Sequence, residues 1–364
     1  MSVVEADVAV LGLGVHGSAA AASLSRRGQR VVALDRFGAG HGRGSSHGRT
    51  RMIRRAYPAA VWNGFVDAAY DAWRALERET GRTLIRRTGG VYAHAGASQL
   101  QGPGVESLPD AAAVADRMPA LRIPEGYRAV YDPDAGVLEA AEAIAALRET
   151  ALSHGARLRF GERVTGWDLV GSRVEVRAEA GTIRADRLVV AAGAFAGALV
   201  PALARSLEVW RILTLTVAAG QPAGMPPGLG AFSIDRPEGL VFGIPDAAGN
   251  GLKIGVDAGE VWDPEVPVAE PTDAEVAHLR TLMERYVPGI DTRDVEAAAC
   301  LYTMTEDRRF TIGTLADAPE VVLAAPCSGH GFKFGAAVGD AVADLCAGVP
   351  RPDLEFVSTA RRGL

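Results

Sequence analysis

The sequence predicts an α/β protein in which a parallel-sheet nucleotide-binding domain, discontinuous along the chain, joins a smaller β-rich domain. Three observations carry that expectation. An apolar, β-branched run at Val8 to Leu11 meets Gly12, Gly14 and Gly17 in G-x-G-x-x-G spacing, and an Ala-rich stretch and a second apolar run lead on to Asp35. Buried-strand patterns return far downstream, at Leu188 to Ala192 running into Gly193 and at Val321 to Ala325. Between them, 85–131 and 207–300 break into short alternating pieces punctuated by Gly and Pro.

Each part of the first stretch has a physical task in a Rossmann-type βαβ unit. Gly12 permits the tight turn, Gly14 lets the backbone approach a pyrophosphate, and Gly17 lets helix and strand pack closely. The pyrophosphate belongs at the helix N-terminus, where free N–H groups and the helix dipole favour an anion. Asp35, at the end of the second strand, can accept hydrogen bonds from ribose hydroxyls. The segment after it, RFGAGHGRGSSHGRTRMIRRAY, is too polar for a core and reads as a loop lining a charged ligand; were it helical, Arg51 and Arg54 would share a face. Ala60 to Glu79 then has apolar residues near a 3.6-residue period.

Helical spacing returns after Val137, with Ile144, Leu147, Ala151 and Leu152 on one face and His154-Gly155 as the stop; Arg157 to Phe160 makes a short strand. Alternating strands follow at Arg163 to Val170 and Arg173 to Arg177. Further strands read at Val209 to Val217, Ala231 to Ile234, Leu240 to Ile244 and Leu252 to Val256. A helix from Asp273 to Tyr286 starts at a Thr272-Asp273 cap and stops before Pro288, and Ala336 to Cys346 is the last helix. This layout predicts a nucleotide domain of 1–84, 137–206 and 300–364, with 85–136 and 207–299 as a substrate domain. A simple NAD dehydrogenase would keep its nucleotide unit in one block.

With 38 basic against 44 acidic residues the chain carries a net charge of −6, which offers nothing to nucleic acid or an anionic membrane. No uninterrupted apolar run reaches spanning length, and the acidic start running straight into a strand predicts no signal peptide. Three cysteines give no disulfide framework, so a reducing cytoplasm is expected; the seven histidines show no metal-ligand spacing.

Three further strings point one way: GSSHGRTRMIRRAY (Gly44 to Tyr57), ACLYT (Ala299 to Thr303) and CSGHGFKFG (Cys327 to Gly335). With the glycine fingerprint, they resemble the monomeric sarcosine oxidase family of the D-amino-acid-oxidase-like superfamily. That family includes N-methyltryptophan oxidase and other flavin-dependent oxidases of secondary amino acids. The likeness spans almost the whole chain in order. It implies FAD as the cofactor, bound through Gly12, Gly14, Gly17, Asp35, Arg36, Ser45, His47, Arg51, Val164, Gly193, Gly329, Gly331 and Lys333. Cys300 matches the position that carries a covalent link to the flavin 8α-methyl, whereas Cys327 and Cys346 are assigned to packing. Lys253 matches the lysine beside flavin N5, where a fixed ammonium stabilises negative charge developing on oxygen. Arg54 and Lys333 match the pair that holds the substrate carboxylate, and Tyr302 matches a tyrosine of the substrate pocket.

Two departures stand out. The sarcosine oxidases have a histidine four residues after the flavin lysine, where this chain has Asp257; Pro326 and Cys327 replace the glycine and aromatic that precede S-G-H-G. The first change counts against sarcosine itself, and Asp257 is expected to contact a basic or hydroxylated part of a larger substrate, or else to face solvent or pair with a nearby arginine. The implied reaction is oxidation of a C–H next to nitrogen in a secondary or cyclic amino acid. Hydride passes to flavin N5, an imine forms, and O2 regenerates the flavin with release of hydrogen peroxide. A biosynthetic flavin dehydrogenase or tailoring oxidase acting on a cyclic imino acid is the alternative, and a non-catalytic flavoprotein subunit is a third. The resemblance also implies a monomer.

Overall fold

In the computed structural model, residues 3–217, 228–325 and 327–364 are described; Pro326, one of the two departures, lies outside them. The fingerprint strand Val3–Leu11 is the middle of an eight-stranded sheet. It pairs in parallel with Val31–Asp35 on one side, at Val8↔Val31 and Leu11↔Leu34, and with Gly181–Val190 on the other. Gly181–Val190 serves two partners: its first half runs antiparallel to Arg173–Ala178, and Leu188 to Val190 run parallel to Val321 to Leu323. Segments far apart in the chain therefore end on one edge, at Gly12, Asp35, Ala191 and Ala324 (the carboxyl ends where open α/β sheets bind ligands).

One face of this sheet is covered by helices Val15–Arg26, Ala140–Ser153 and Gly335–Cys346. Their contacts use Ala19 to Ala22, Ala143, Ala146, Ala337 and Ala341, and small side chains let the helices sit close. A Cβ on Gly339 would lie 2.6 Å from the Ala19 backbone, so that crossing tolerates glycine only. Leu152 is 54% exposed and does not join the buried face, contrary to the periodicity, because it falls on the solvent side of the last helical turn.

A nine-stranded sheet forms the second body. It contains Gly90–His94, Arg128–Asp132, Glu208–Val217, Ala231–Ile234, Leu240–Ile244, Lys253–Asp257 and Val295–Met304. One face packs Leu215, Val217, Phe232, Ile234, Val241 and Ile254 onto Leu279, Leu282, Met283 and Tyr286 of helix Asp273–Tyr286. That helix has the bounds its sequence implied, with Thr272 and Glu275 forming a reciprocal capping box. Strand alternation turns the residues between these apolar ones to the opposite face, which becomes the wall of the site. A three-stranded sheet, Thr50–Ile53, Gly136–Glu139 and Ile85–Arg87, lies between the two bodies. The segment expected to be loop thus contains a strand at Thr50–Ile53, held by its antiparallel partner Gly136–Glu139. Among the described residues no helix is long and apolar enough to cross a membrane.

Candidate active site

The nucleotide end is built from backbone and from missing side chains. Gly12 has φ +94°, and a Cβ there would lie 2.6 Å from the Ala191 carbonyl oxygen. One on Gly17 would lie 1.7 Å from the Gly12 carbonyl oxygen. Gly14 is the N-cap of helix Val15–Arg26 and, being glycine, brings no capping side chain of its own. Asp35 accepts from the Leu13 N–H at 2.8 Å and the Phe37 N–H at 2.9 Å, which ties the second strand to the fingerprint loop. A carboxylate has further acceptor sites for ribose hydroxyls. The strand ends border a cavity of about 490 Å³ whose wall includes Gly12, Gly14, Asp35, Arg36, Ser45, His47, Val164 and Gly193. Its size and its glycine cradle fit a dinucleotide such as FAD.

Sequence reasoning missed several parts of this wall. Arg148 donates to the Leu13 carbonyl at 2.6 Å, and the Ser46 hydroxyl accepts from the Val15 N–H at 3.1 Å. Glu265, on a loop of the second body, forms a bidentate pair with the expected Arg36 at 2.6 and 2.7 Å, clamping that loop over the nucleotide end. Cys327, expected only to pack, borders the cavity beside Thr303. These roles depend on which distant segments meet, and no local pattern announces them.

The remaining expected residues adjoin the cavity rather than line it. Thr216 pairs with Lys253 and Ile212 pairs with Cys300 across strand Glu208–Val217, and directly paired residues share a face. Even spacing along each strand adds Asp257 and Tyr302 to that face. Lys253 donates to the Thr50 carbonyl at 2.5 Å and is 9% exposed. Burial first, and Arg51 second, hold its pKa well below the ordinary lysine value. Burial raises the Cys300 pKa, with Arg51 and Lys253 opposing. Arg51 itself donates to the carbonyls of Ser45 and His47, and burial lowers the His47 pKa.

Arg54 lies between two aromatic rings, 5.3 Å from the centre of Tyr57 and 4.8 Å from that of Tyr92. Lys333 donates to the Tyr57 hydroxyl at 3.2 Å and to the His330 carbonyl at 2.9 Å, while Trp73 Nε1 holds the Lys333 carbonyl at 2.6 Å. Burial, then Arg54, lowers the Lys333 pKa to about 7. His330 is pushed down to about 3 by burial and is neutral, which sets a relay. Lys333 donates to Tyr57, Tyr57 to His330 Nδ1 at 3.2 Å, and His330 Nε2 to the Arg308 carbonyl at 3.0 Å. Tyr57, Tyr92 and Arg308 were not singled out from the sequence, although Tyr57 closes one of the diagnostic strings. Gly329 and Gly331 serve close packing: a Cβ on the first would meet the Tyr302 ring at 2.5 Å, and on the second Cys327 Cβ at 2.3 Å.

A glycine-cradled cavity of dinucleotide size, beside a sheet face that carries buried Lys253, fits a flavin-dependent oxidoreductase. Residues 7–345 match the family of FAD dependent oxidoreductases, and the chain belongs to that family. It is 34% identical to the monomeric sarcosine oxidase of Streptomyces avermitilis, covering 93% of each chain. To the monomeric sarcosine oxidase of Bacillus sp. it is 30% identical over 98% of this chain and 96% of that one. The N-methyl-L-tryptophan oxidase of Yersinia pestis is 28% identical over 98% and 99%. Among solved structures, the open form of NikD, an unusual amino acid oxidase, superposes with a TM-score of 0.84 at 24% identity, covering 98% and 97%.

Proposed function

We propose that this FAD-dependent, sarcosine-oxidase-like enzyme oxidises a secondary or cyclic amino acid, with an imine as product. The observation that carries this reading is that half-buried Arg54 and buried Lys333 meet at Tyr57, next to the face that bears Lys253 and Cys300. When bound, FAD supplies at N5 the acceptor for a hydride equivalent from a C–H next to nitrogen and passes the electrons to O2, giving hydrogen peroxide. Arg54 and Lys333 grip the substrate carboxylate, and the Tyr57 and Tyr92 rings keep that grip dry and fixed. Holding the reacting carbon in one place supplies much of the acceleration. Lys253 provides a cation where negative charge develops on oxygen. Cys300 is the point of covalent attachment through the 8α carbon, with Arg51 and Lys253 opposing the burial that keeps it a thiol. Residues 1–84, 137–206 and 300–364 hold the cofactor, and 85–136 with 207–299 the substrate. The strand through 300 is shared between them. The enzyme works as a cytoplasmic monomer.

The test is anaerobic titration with N-methyl and cyclic amino acids. At least one must bleach the flavin, and air must then yield one peroxide per amine consumed. Failure of every amine to bleach it contradicts the reading. The unpaired Asp257 oxygen also favours a second task, desaturation of a cyclic imino acid or natural-product intermediate by a biosynthetic dehydrogenase or tailoring oxidase. Turnover without stoichiometric peroxide selects it.

A further inference from the structure

Asp257 stands on the sheet face that carries Lys253 and Cys300, within the influence of Arg54 and Lys333, and its oxygens are poorly served. Oδ2 has Arg308 Nη1 at 3.9 Å, beyond hydrogen-bonding distance, and buried Oδ1 has no partner among the described residues. A buried acceptor without a donor is costly unless a ligand supplies one. Burial raises the Asp257 pKa, with Arg308, Arg54 and Lys333 opposing.

Arg308 has the opposite character. Its backbone is held: φ is +54°, the His330 ring donates to its carbonyl, and neighbouring Asp307 pairs with Arg361 and Arg362. Its side chain is 59% exposed and rests against the Trp210 ring, 5.7 Å from its centre. A fixed backbone with a loose guanidinium is arranged to let that group leave without disturbing the relay to Lys333.

We infer that Asp257 is a specificity-determining residue for the end of the substrate remote from its carboxylate, and that it takes an ammonium or guanidinium in exchange for Arg308. Cation-for-cation exchange leaves the local charge unchanged, whereas a neutral group would remove Arg308 and leave Asp257 less compensated. The substrate class is therefore a secondary amino acid with a basic side chain. This rests on the proposed function only in giving the carboxylate to Arg54 and Lys333.

The experiment uses the flavin-loaded enzyme and paired carboxylates of equal length, from butanoate against 4-aminobutanoate to hexanoate against 6-aminohexanoate. Binding is read from the flavin absorbance under nitrogen. At one length or more the amino partner binds roughly tenfold more tightly, and Asp257→Asn abolishes that preference. Arg308→Ala strengthens binding of the amino partner, because nothing has to be displaced. Equal preference in wild type and Asp257→Asn, or tighter binding of the alkyl partner at every length, overturns the inference. An enzyme with the preference that no amine bleaches loses the oxidase reading alone; one that oxidises amines without the preference loses only this one.

Discussion

The two ends of the site are made by opposite means. At the nucleotide end the working parts are absences: no Cβ at Gly12, Gly14 or Gly17, and backbone N–H groups left for an anion. At the end proposed to take the substrate they are long cationic side chains brought from three separate stretches, half-buried Arg54 and buried Lys253 and Lys333. The first is a problem of shape, ruined by an added methyl group. The second is a problem of charge, ruined by a lost proton.

The largest expected effect belongs to shape. Gly17→Ala drives a Cβ into the Gly12 carbonyl, which has no flexible end to yield; about 3 kcal/mol of stability and the flavin are lost together. Purified variant that stays yellow with unchanged Tm would break that half of the contrast. Charge comes next. Lys253→Met slows reoxidation by O2 on the order of a hundredfold and leaves anaerobic reduction by substrate nearly as it was. Stopped-flow measurement of each half-reaction checks this, and equal losses would remove Lys253 from the oxygen step. The smallest effect is titration of Lys333. With its pKa lowered to about 7, the ammonium is present below that pH and lost above it. The Kd of a non-reacting carboxylate therefore rises between pH 7 and 9, by roughly tenfold at most, and Lys333→Met binds weakly and without that pH dependence. A flat wild-type profile would mean the carboxylate lies elsewhere.

The same contrast governs what the sequence discloses. The fingerprint, Asp35 and the Thr272 cap were readable because each depends on neighbours a few positions away. The strand Val295–Met304 and helix Ala111–Arg117 were not, the first because its neighbour Glu208–Val217 completes it and the second because three alanines give no periodicity. Lys253 and Cys300 were found only through family likeness; what unites them is a register across a third strand. Arg148, Tyr92 and Arg308 escaped altogether, since an arginine on a helix or a loop, or a tyrosine in a strand, announces nothing until its partners arrive.

Shape and charge have to meet on one flavin, and the link proposed at Cys300 would join them. Acid precipitation of the yellow enzyme, followed by mass analysis of the peptides, tests this most directly. Colour that stays in the pellet, with the flavin mass on the peptide containing Cys300, is the predicted result. Flavin released wholly into the supernatant, leaving that peptide unmodified, would contradict it.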